Sequence, residues 1–224
     1  MIAGRCAPAR AGRRHCQSVG LTMLRCEFAL LLVLFTFLRG SSSIPPHDEV
    51  ARMARYIVHA CDWGSVATIS THPAVGGRPF SNIFSVSDGP LGKGSGHPYL
   101  YLTPLDISVK DMQVNAEVSL AMSLAETGYC KKQKFDPESP LCCRVILSGA
   151  IMMVNKTEIN FAKEALFSRH PAMPDWPHDH GWYFAKLNIT NIWVLDYFGG
   201  IKTVTPEEYY SVKPEYEGNG EQKL

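Results

Sequence analysis

The 224 residues predict a mainly β (α+β) fold, a partly closed antiparallel barrel flanked by a few short helices. Three observations carry this reading. Apolar residues recur at period two in about six stretches, glycine- and proline-rich segments separate those stretches, and no internal repeat competes. The longest stretch, Trp182 to Phe198, anchors the rest. Its odd positions Tyr183, Ala185, Leu187, Ile189, Asn191, Trp193, Leu195 and Tyr197 are nearly all apolar, while Lys186, Asn188, Thr190 and Asp196 stand at even ones. Alternate residues of a strand face opposite ways, so this is one long strand, or two with a bend, burying its odd face. Ile192, Val194 and Phe198 share the even face and need a cover, either a helix or a second subunit. The domain is therefore expected to self-associate.

The other elements follow in order. Asp48 caps a helix whose apolar positions Val50, Met53, Ala54 and Ile57 keep the three-four spacing. Asp62-Trp63-Gly64 ends it, and Val66 to Thr71 and Phe80 to Ser87 read as strands. Asp88 to Pro98 is glycine-rich, but Ser87 stands where a phosphate loop needs glycine, so a long hairpin loop is expected. Tyr99 to Thr103 is a strand, Pro104 to Val114 a short crossover, and Val118 to Leu124 another strand. There large Val118, Leu120, Met122 and Leu124 alternate with small Ser119, Ala121, Ser123 and Ala125, as when one face fills a barrel and the other packs closely on a neighbour. Arg144 to Val154 is a long strand, and Glu158 to Ser168 fits a helix with Ile159, Ala162 and Leu166 inward. Arg169 to Gly181 is an irregular Pro-rich loop. Thr205-Pro206-Glu207-Glu208 combines an N-cap, a first-turn proline and a capping-box glutamate, which starts a short helix through Tyr210.

The apolar run Phe28 to Leu38, flanked by Arg25 and Arg39, suits a signal-peptide core and falls short of the roughly 20 residues that span a bilayer. The expected organisation is a leader over 1–43 with Met23 as a candidate initiator, a domain over 44–212 and a disordered tail over 213–224. The formal net charge of +1 hides an asymmetry. Removing the six arginines and one glutamate before Ile44 leaves 16 basic and 20 acidic residues, a net of −4. No Lys/Arg cluster remains, which argues against nucleic-acid binding, and a secretory leader argues against direct repression in a nucleus. No later segment is long and apolar enough for a membrane span.

Asn155-Lys156-Thr157, at a turn, and Asn188-Ile189-Thr190, on the wet face of the long strand, are N-glycosylation sequons. Four cysteines follow the leader, Cys61, Cys130, Cys142 and Cys143, and residues alone do not choose among three full pairings. Cys130 and Cys142 flank the polar loop Lys131 to Leu141, which a disulfide between them would close for about 3 kcal/mol. Cys143 faces the other side of its strand and reads as a buried thiol. A zinc site lacks its usual two-residue spacer. His178 and His180 around Asp179 form a surface chelate at best, and His59 ends the first helix, packed or capping. There is no nucleophile elbow and no identifiable carboxylate pair.

Several longer segments are family-specific. They are Asp62-Trp63-Gly64 with Ala67-Thr68-Ile69-Ser70-Thr71, Gly77-Arg78-Pro79-Phe80, Ser87-Asp88-Gly89-Pro90, Phe135-Asp136-Pro137 with Ser139-Pro140-Leu141-Cys142, and above all Phe184 to Gly200. On these the chain from about Val50 to Val212 resembles the CREG family, glycoproteins named as cellular repressors of adenoviral early-gene-stimulated transcription, and in particular its shorter-leadered first member. The resemblance implies a split β-barrel like that of FMN-binding pyridoxamine-phosphate oxidases, a homodimer, secretion and lysosomal delivery. It implies binding to the cation-independent mannose-6-phosphate (insulin-like growth factor II) receptor, with restraint of proliferation and promotion of differentiation. It also implies no catalytic residues and no cofactor. Flavin-binding relatives hold the cofactor phosphate with basic residues where this chain has Asp106 and Ser108, leaving only Lys110 nearby. The loop Asp136, Pro137, Glu138 and Ser139 is expected to fill the cofactor cleft. The alternative is a flavin- or haem-binding oxidoreductase or carrier. Two departures stand out: Ser211-Val212-Lys213 replaces a third sequon, and Cys61 and Cys143 are additional to Cys130 and Cys142, leaving room for an extra bridge.

Overall fold

A computed structural model of the chain describes residues 44–213. The expected leader, the Met23 initiator, and the tail from Pro214 onward lie outside the described residues.

Helix α1 (Val50–Ala60) opens the domain with Met53, Ala54, Ile57 and Val58 fully buried, as their spacing requires. Its N-cap is Glu49 rather than Asp48, and no side chain caps it. Strands β1 (Trp63–Ile69), β2 (Pro79–Ser85) and β3 (Tyr99–Leu102) follow, then helix α2 (Ile107–Val114), strand β4 (Glu117–Ser123), helix α3 (Tyr129–Gln133) and strand β5 (Arg144–Met153). Helix α4 (Ile159–Arg169), the long strand β6 (Tyr183–Leu195), the short β7 (Lys202–Val204) and helix α5 (Pro206–Ser211) complete the chain. Helix α5 carries the expected capping box between Thr205 and Glu208.

All strands join one antiparallel sheet in the order β2-β1-β4-β5-β6-β3, with β7 added to β6. Strand twist curls the sheet until its two edges approach. Among the described residues only Ser87, just beyond β2, pairs across that seam with Tyr99 of β3. The result is a split β-barrel. The glycine-rich segment after Ser87 thus connects the sheet's opposite edges instead of two laddered neighbours.

The alternation predicted for β4 holds. Val118, Leu120 and Met122 point into the barrel, and Ser119 and Ala121 point out. The outer face of the neighbouring strands is equally small. Ser65 sits opposite Ala121, Ala67 opposite Ser119, and two serine pairs, Ser65–Ser81 and Ser119–Ser148, join hydroxyls at 2.6 Å. Larger Trp63, Ile69 and Ile83 stand exposed along one side.

Strand β6 corrects the sequence reading in its second half. Ala185, Leu187 and Ile189 are buried as expected, but beyond Thr190 the buried residues are Ile192, Val194 and Asp196. The cause is a bulge. Gly149 of β5 pairs with Ile189 and Ser148 with Asn191, so Thr190 is an extra residue and the side-chain phase flips. Ile192 and Val194 are covered by the barrel's own core, not by a second subunit, whereas Phe198 is exposed. Gly149 makes the bulge possible: a Cβ there would lie 2.0 Å from the Asn188 carbonyl oxygen.

The main core fills the barrel and runs under α1. A second cluster lies on the outside, where α4 covers Tyr99 and Val154 with Ala162, Ala165 and Leu166. Ala165 takes the inward place expected of Ile159, which is exposed. The helix approaches the sheet through alanines, and the bulk comes from the aromatic rings of Tyr101, Phe167 and Phe184 beside it.

Candidate functional site

Helix α2 follows β3 and carries Asp106, Ser108 and Lys110, the positions at which the sequence resemblance expects a cofactor phosphate to be held. A helix N-terminus is a ready anion cradle because its first N–H groups lack partners. Here the chain supplies the anion itself. Asp106 is the N-cap, its Oδ1 accepting from the Ser108 N–H (2.7 Å) and the Val109 N–H (3.2 Å). Asn82 Nδ2 donates to the other oxygen at 3.3 Å. Ser108 is fully buried with no partner for its hydroxyl, and Lys110 points into solvent. A phosphate at this terminus would meet a carboxylate already holding the donors, at a Coulomb cost of about 1–4 kcal/mol per pair of charges at contact. These residues do not fit the phosphate of a flavin.

Behind that terminus, Asp111 fixes α2 to the end of β1. Its carboxylate accepts from Thr68 Oγ1 (2.9 Å), the Thr71 N–H (2.6 Å) and Thr71 Oγ1 (2.8 Å). Burial pushes this acid up, yet the bonds from Thr71 and Thr68 outweigh it and hold it below the usual carboxylate range.

The second candidate is the loop between Cys130 and Cys142, which are joined as a disulfide with Cα atoms 5.5 Å apart. Asp136, Pro137 and Glu138 are exposed and Ser139 half-buried. The turn is held locally: Asp136 Oδ1 accepts from the Glu138 N–H (2.8 Å), and Arg144 donates to the carbonyls of Pro137 (3.3 Å) and Glu138 (3.0 Å). Its place relative to α2 follows from the register. Arg144 lies opposite Ser123, at the end of β4, whereas the last turn of α2 leads to its beginning, where Glu117 lies opposite Ala150. Asp106, at the other end of α2, reaches Asn82, whose register partner Val66 faces Leu120 in the middle of β4. No hydrogen bond among the described residues joins Asp136–Ser139 to the α2 N-terminus; the loop is tied to Arg144 instead.

Cys61 and Cys143 are free and buried, so the extra bridge that their number left room for is not formed. Cys61 Sγ donates to the Ser123 carbonyl at 3.2 Å. Burial, then the Asp196 carboxylate, pushes the Cys143 thiol well up, which keeps it an inert packed group.

The sequons form the third candidate. Both Asn155 and Asn188 are exposed. Asn155 Oδ1 accepts from the Thr157 N–H (3.0 Å), Thr157 Oγ1 (2.7 Å) and the Glu158 N–H (3.0 Å), so the sequon is itself the turn into α4. The Asn188 sequon straddles the β6 bulge, with Thr190 Oγ1 donating to the Ser148 carbonyl at 3.2 Å. A clamp that sequence reasoning missed ties the two together. Glu158, three residues past Asn155, takes Lys186 Nζ on one oxygen and the Tyr99 hydroxyl on the other, each at 2.6 Å. Lys186 lies two residues before Asn188 on the same strand face. Burial raises the Glu158 acid, but the bonds from Lys186 and Tyr99 dominate and leave it lowered. The spacing to each sequon was visible in the sequence; the pairing across β3, β6 and α4 was not.

The remaining histidine candidates are accounted for locally. His178, Asp179 and His180 form one turn of 3₁₀ helix, His180 Nε2 lying 3.9 Å from Asp179. His59 is buried, its Nδ1 2.6 Å from Asp88 and its Nε2 accepting from the Gly92 N–H at 3.2 Å. It packs and ties down the glycine-rich segment. No helix among the described residues is long and apolar enough to cross a membrane.

Compared with known proteins, residues 45–211 match the family model described as CREG, beta-barrel. The chain belongs to the CREG family. It is 57% identical over 194 residues to Protein CREG1 of Gallus gallus, covering 86% of this chain and all of that one. It is 59% identical over 169 residues to Protein CREG1 of Homo sapiens, covering 75% and 77%. Similarity to Protein CREG2 of Mus musculus is lower, 39% over 184 residues, covering 81% of this chain and 64% of the relative. Among solved structures, a heme binding protein from Mycobacterium smegmatis superposes with a TM-score of 0.58 at 17% identity, over 75% of this chain and 61% of that one. A pyridoxinephosphate oxidase family protein from Clostridium acetobutylicum does so at 0.50 and 13%, over 74% and 100%. These two share the split barrel with this CREG protein.

Proposed function

We propose that this CREG protein is a secreted, N-glycosylated homodimer of the endosome–lysosome system and the extracellular space. It catalyses no reaction, and it acts as a ligand of the cation-independent mannose-6-phosphate/insulin-like growth factor II receptor. Through that partner it restrains proliferation and favours differentiation, so that any transcriptional effect is indirect. The observation that carries the reading is the placing of Asn188. The bulge keeps its neighbours Leu187 and Ile189 in the core while the asparagine itself stays exposed, a position where a bulky sugar costs no packing. Asn155 joins it through the Glu158–Lys186 clamp.

The homodimer is supported by the small outer face of β1, β4 and β5. Serines and alanines let a second sheet approach closely, and Trp63, Ile69 and Ile83 at the side would be removed from water. Association also answers the question of the Asp136–Ser139 loop. Its hydrogen bonds run to Arg144 and none to its own α2, so the loop is placed in the cofactor-type cleft formed where two chains meet, in which an α2 N-terminus already holds the Asp106 carboxylate.

The test replaces both sequon asparagines, as Asn155→Gln with Asn188→Gln, and measures receptor binding of the secreted protein. Loss of at least tenfold in affinity is expected, and unchanged binding would rule out the glycan route. A second reading, carriage of flavin or haem, is favoured by the fold shared with a protein titled heme binding and by the unpartnered Ser108 hydroxyl. Absorbance in the flavin or Soret region, recorded on the purified secreted dimer, would establish it in place of the first.

A further inference from the structure

Away from the sequons and from α2, helix α5 and the glycine-rich segment line a solvent-open cavity of about 310 Å³. Its lining includes Arg55, Lys93, Gly94, Tyr210 and Lys213, and no acidic residue lines it. Lys93 and Lys213 are exposed, but Arg55 is 96% buried, with a relative exposure of only 4%. Its guanidinium donates to three carbonyls, those of Tyr209 (3.4 Å), Val212 (3.1 Å) and Gly94 (3.0 Å). It forms no ion pair with a carboxylate among the described residues, and its ring contact is with Tyr209, 5.2 Å from the centroid.

Two facts about that guanidinium point outward. A guanidinium has five N–H donors, and three carbonyls leave two of them over. One is Nε, a buried atom with no hydrogen-bond partner that packs against Gly96, and the other is the second N–H of Nη2, whose first bonds the carbonyl of cavity-lining Gly94. A buried full charge is costly unless an opposite charge meets it, and carbonyl dipoles supply only a fraction of one. The cavity thus gathers three cations, a spare Nη2 donor and the Tyr210 side chain around space open to solvent, with no countercharge in its lining.

We infer that this cavity binds a tetrahedral oxyanion borne on a small molecule, a phosphate or sulfate monoester. Arg55 is the fixed, preoriented donor, while Lys93 and Lys213 close on the anion from the two flanking segments. Charge-assisted hydrogen bonds to such oxygens are the strong class, and the cavity has room beyond the anion for the carbon skeleton that bears it. Because Arg55 also bridges the Gly94 carbonyl to the end of α5, an occupant would further tie the glycine-rich segment to the C-terminal helix.

The test is calorimetric titration of the full secreted chain with inorganic phosphate and with glucose 6-phosphate, at fixed ionic strength. One saturable site per chain is expected, with the monoester the tighter ligand. Replacing the two exposed lysines, Lys93→Met with Lys213→Met, should weaken binding at least tenfold without touching the fold. The matched pair Lys131→Met with Lys132→Met should leave it within twofold. Absence of a saturable site, or equal losses in both pairs, overturns the assignment; a monoester weaker than inorganic phosphate overturns the ligand class. A chain ending at Lys213 provides the remaining arm. Unchanged affinity supports an external ligand, whereas a tenfold gain would show that the chain's own Glu215, Glu217 and Glu221 compete for the cavity, contradicting it.

Discussion

Two sites on the barrel treat their polar groups in opposite ways. At α2, Asp106 answers the helix donors and Asp111 is sealed behind Thr68 and Thr71. Across the β5–β6 bulge, Thr190 is pushed out of register and Asn188 and Asn155 are left to water. The same curled sheet therefore carries a helix terminus closed by its own side chains and a strand segment held open by a bulge. One carboxylate is enough to close a helix terminus, and one inserted residue is enough to change which side chains a strand displays, with the core undisturbed.

The largest expected effect falls on the bulge. Gly149→Ala would drive a Cβ onto the Asn188 carbonyl, and denaturant unfolding should show a loss of about 3 kcal/mol. A loss below about 1 kcal/mol would mean that the bulge relaxes freely and does not determine which residues are displayed. Next comes the loop near the far end of β4. Cys130→Ser with Cys142→Ser should cost about 2–3 kcal/mol and raise amide exchange across residues 131–141, with α2 unaffected. At α2, Asp106→Ala removes an N-cap and should cost about 1 kcal/mol in the same unfolding measurement. Equal protection of α2 in the variant would show that the carboxylate is not what closes that terminus.

A pH effect is expected from a third place, beyond the end of β4. Burial raises the Glu126 acid to about 7 from an ordinary value of 4.5, beside Cys61 and Asp62. The folded chain holds that proton where the unfolded chain releases it, so this group's contribution is present below about 4.5 and fades as pH rises through 7. Thermal unfolding should accordingly show relative stabilisation toward the acid side, and Glu126→Gln should flatten that slope. A slope unchanged by the substitution would remove Glu126 as its source. The smallest effect is expected at the display site itself: Asn188→Gln should alter stability by less than about 0.5 kcal/mol.

Much of this was legible in the residues because alternation is a local property. The β4 pattern, the α1 face, the Thr205 capping box and the first half of β6 were all visible without tertiary information. The second half of β6 was not, because its phase is set by Gly149 on another strand. An isolated glycine inside a strand pattern was the available signal for a bulge. The inward turn of Ala165 in place of Ile159 was hidden because α4 packs on a ring-lined outer surface that period alone does not reveal. The Glu158–Lys186–Tyr99 clamp joins three elements far apart in sequence, and Asp106 read as a missing base before it was seen as a cap.

Receptor recognition rests on sugar displayed beside the bulge. Its most direct test is competition: the purified native glycoprotein bound to the immobilised receptor, challenged with free mannose 6-phosphate. Release of the protein is predicted, and binding that persists at saturating mannose 6-phosphate would contradict it.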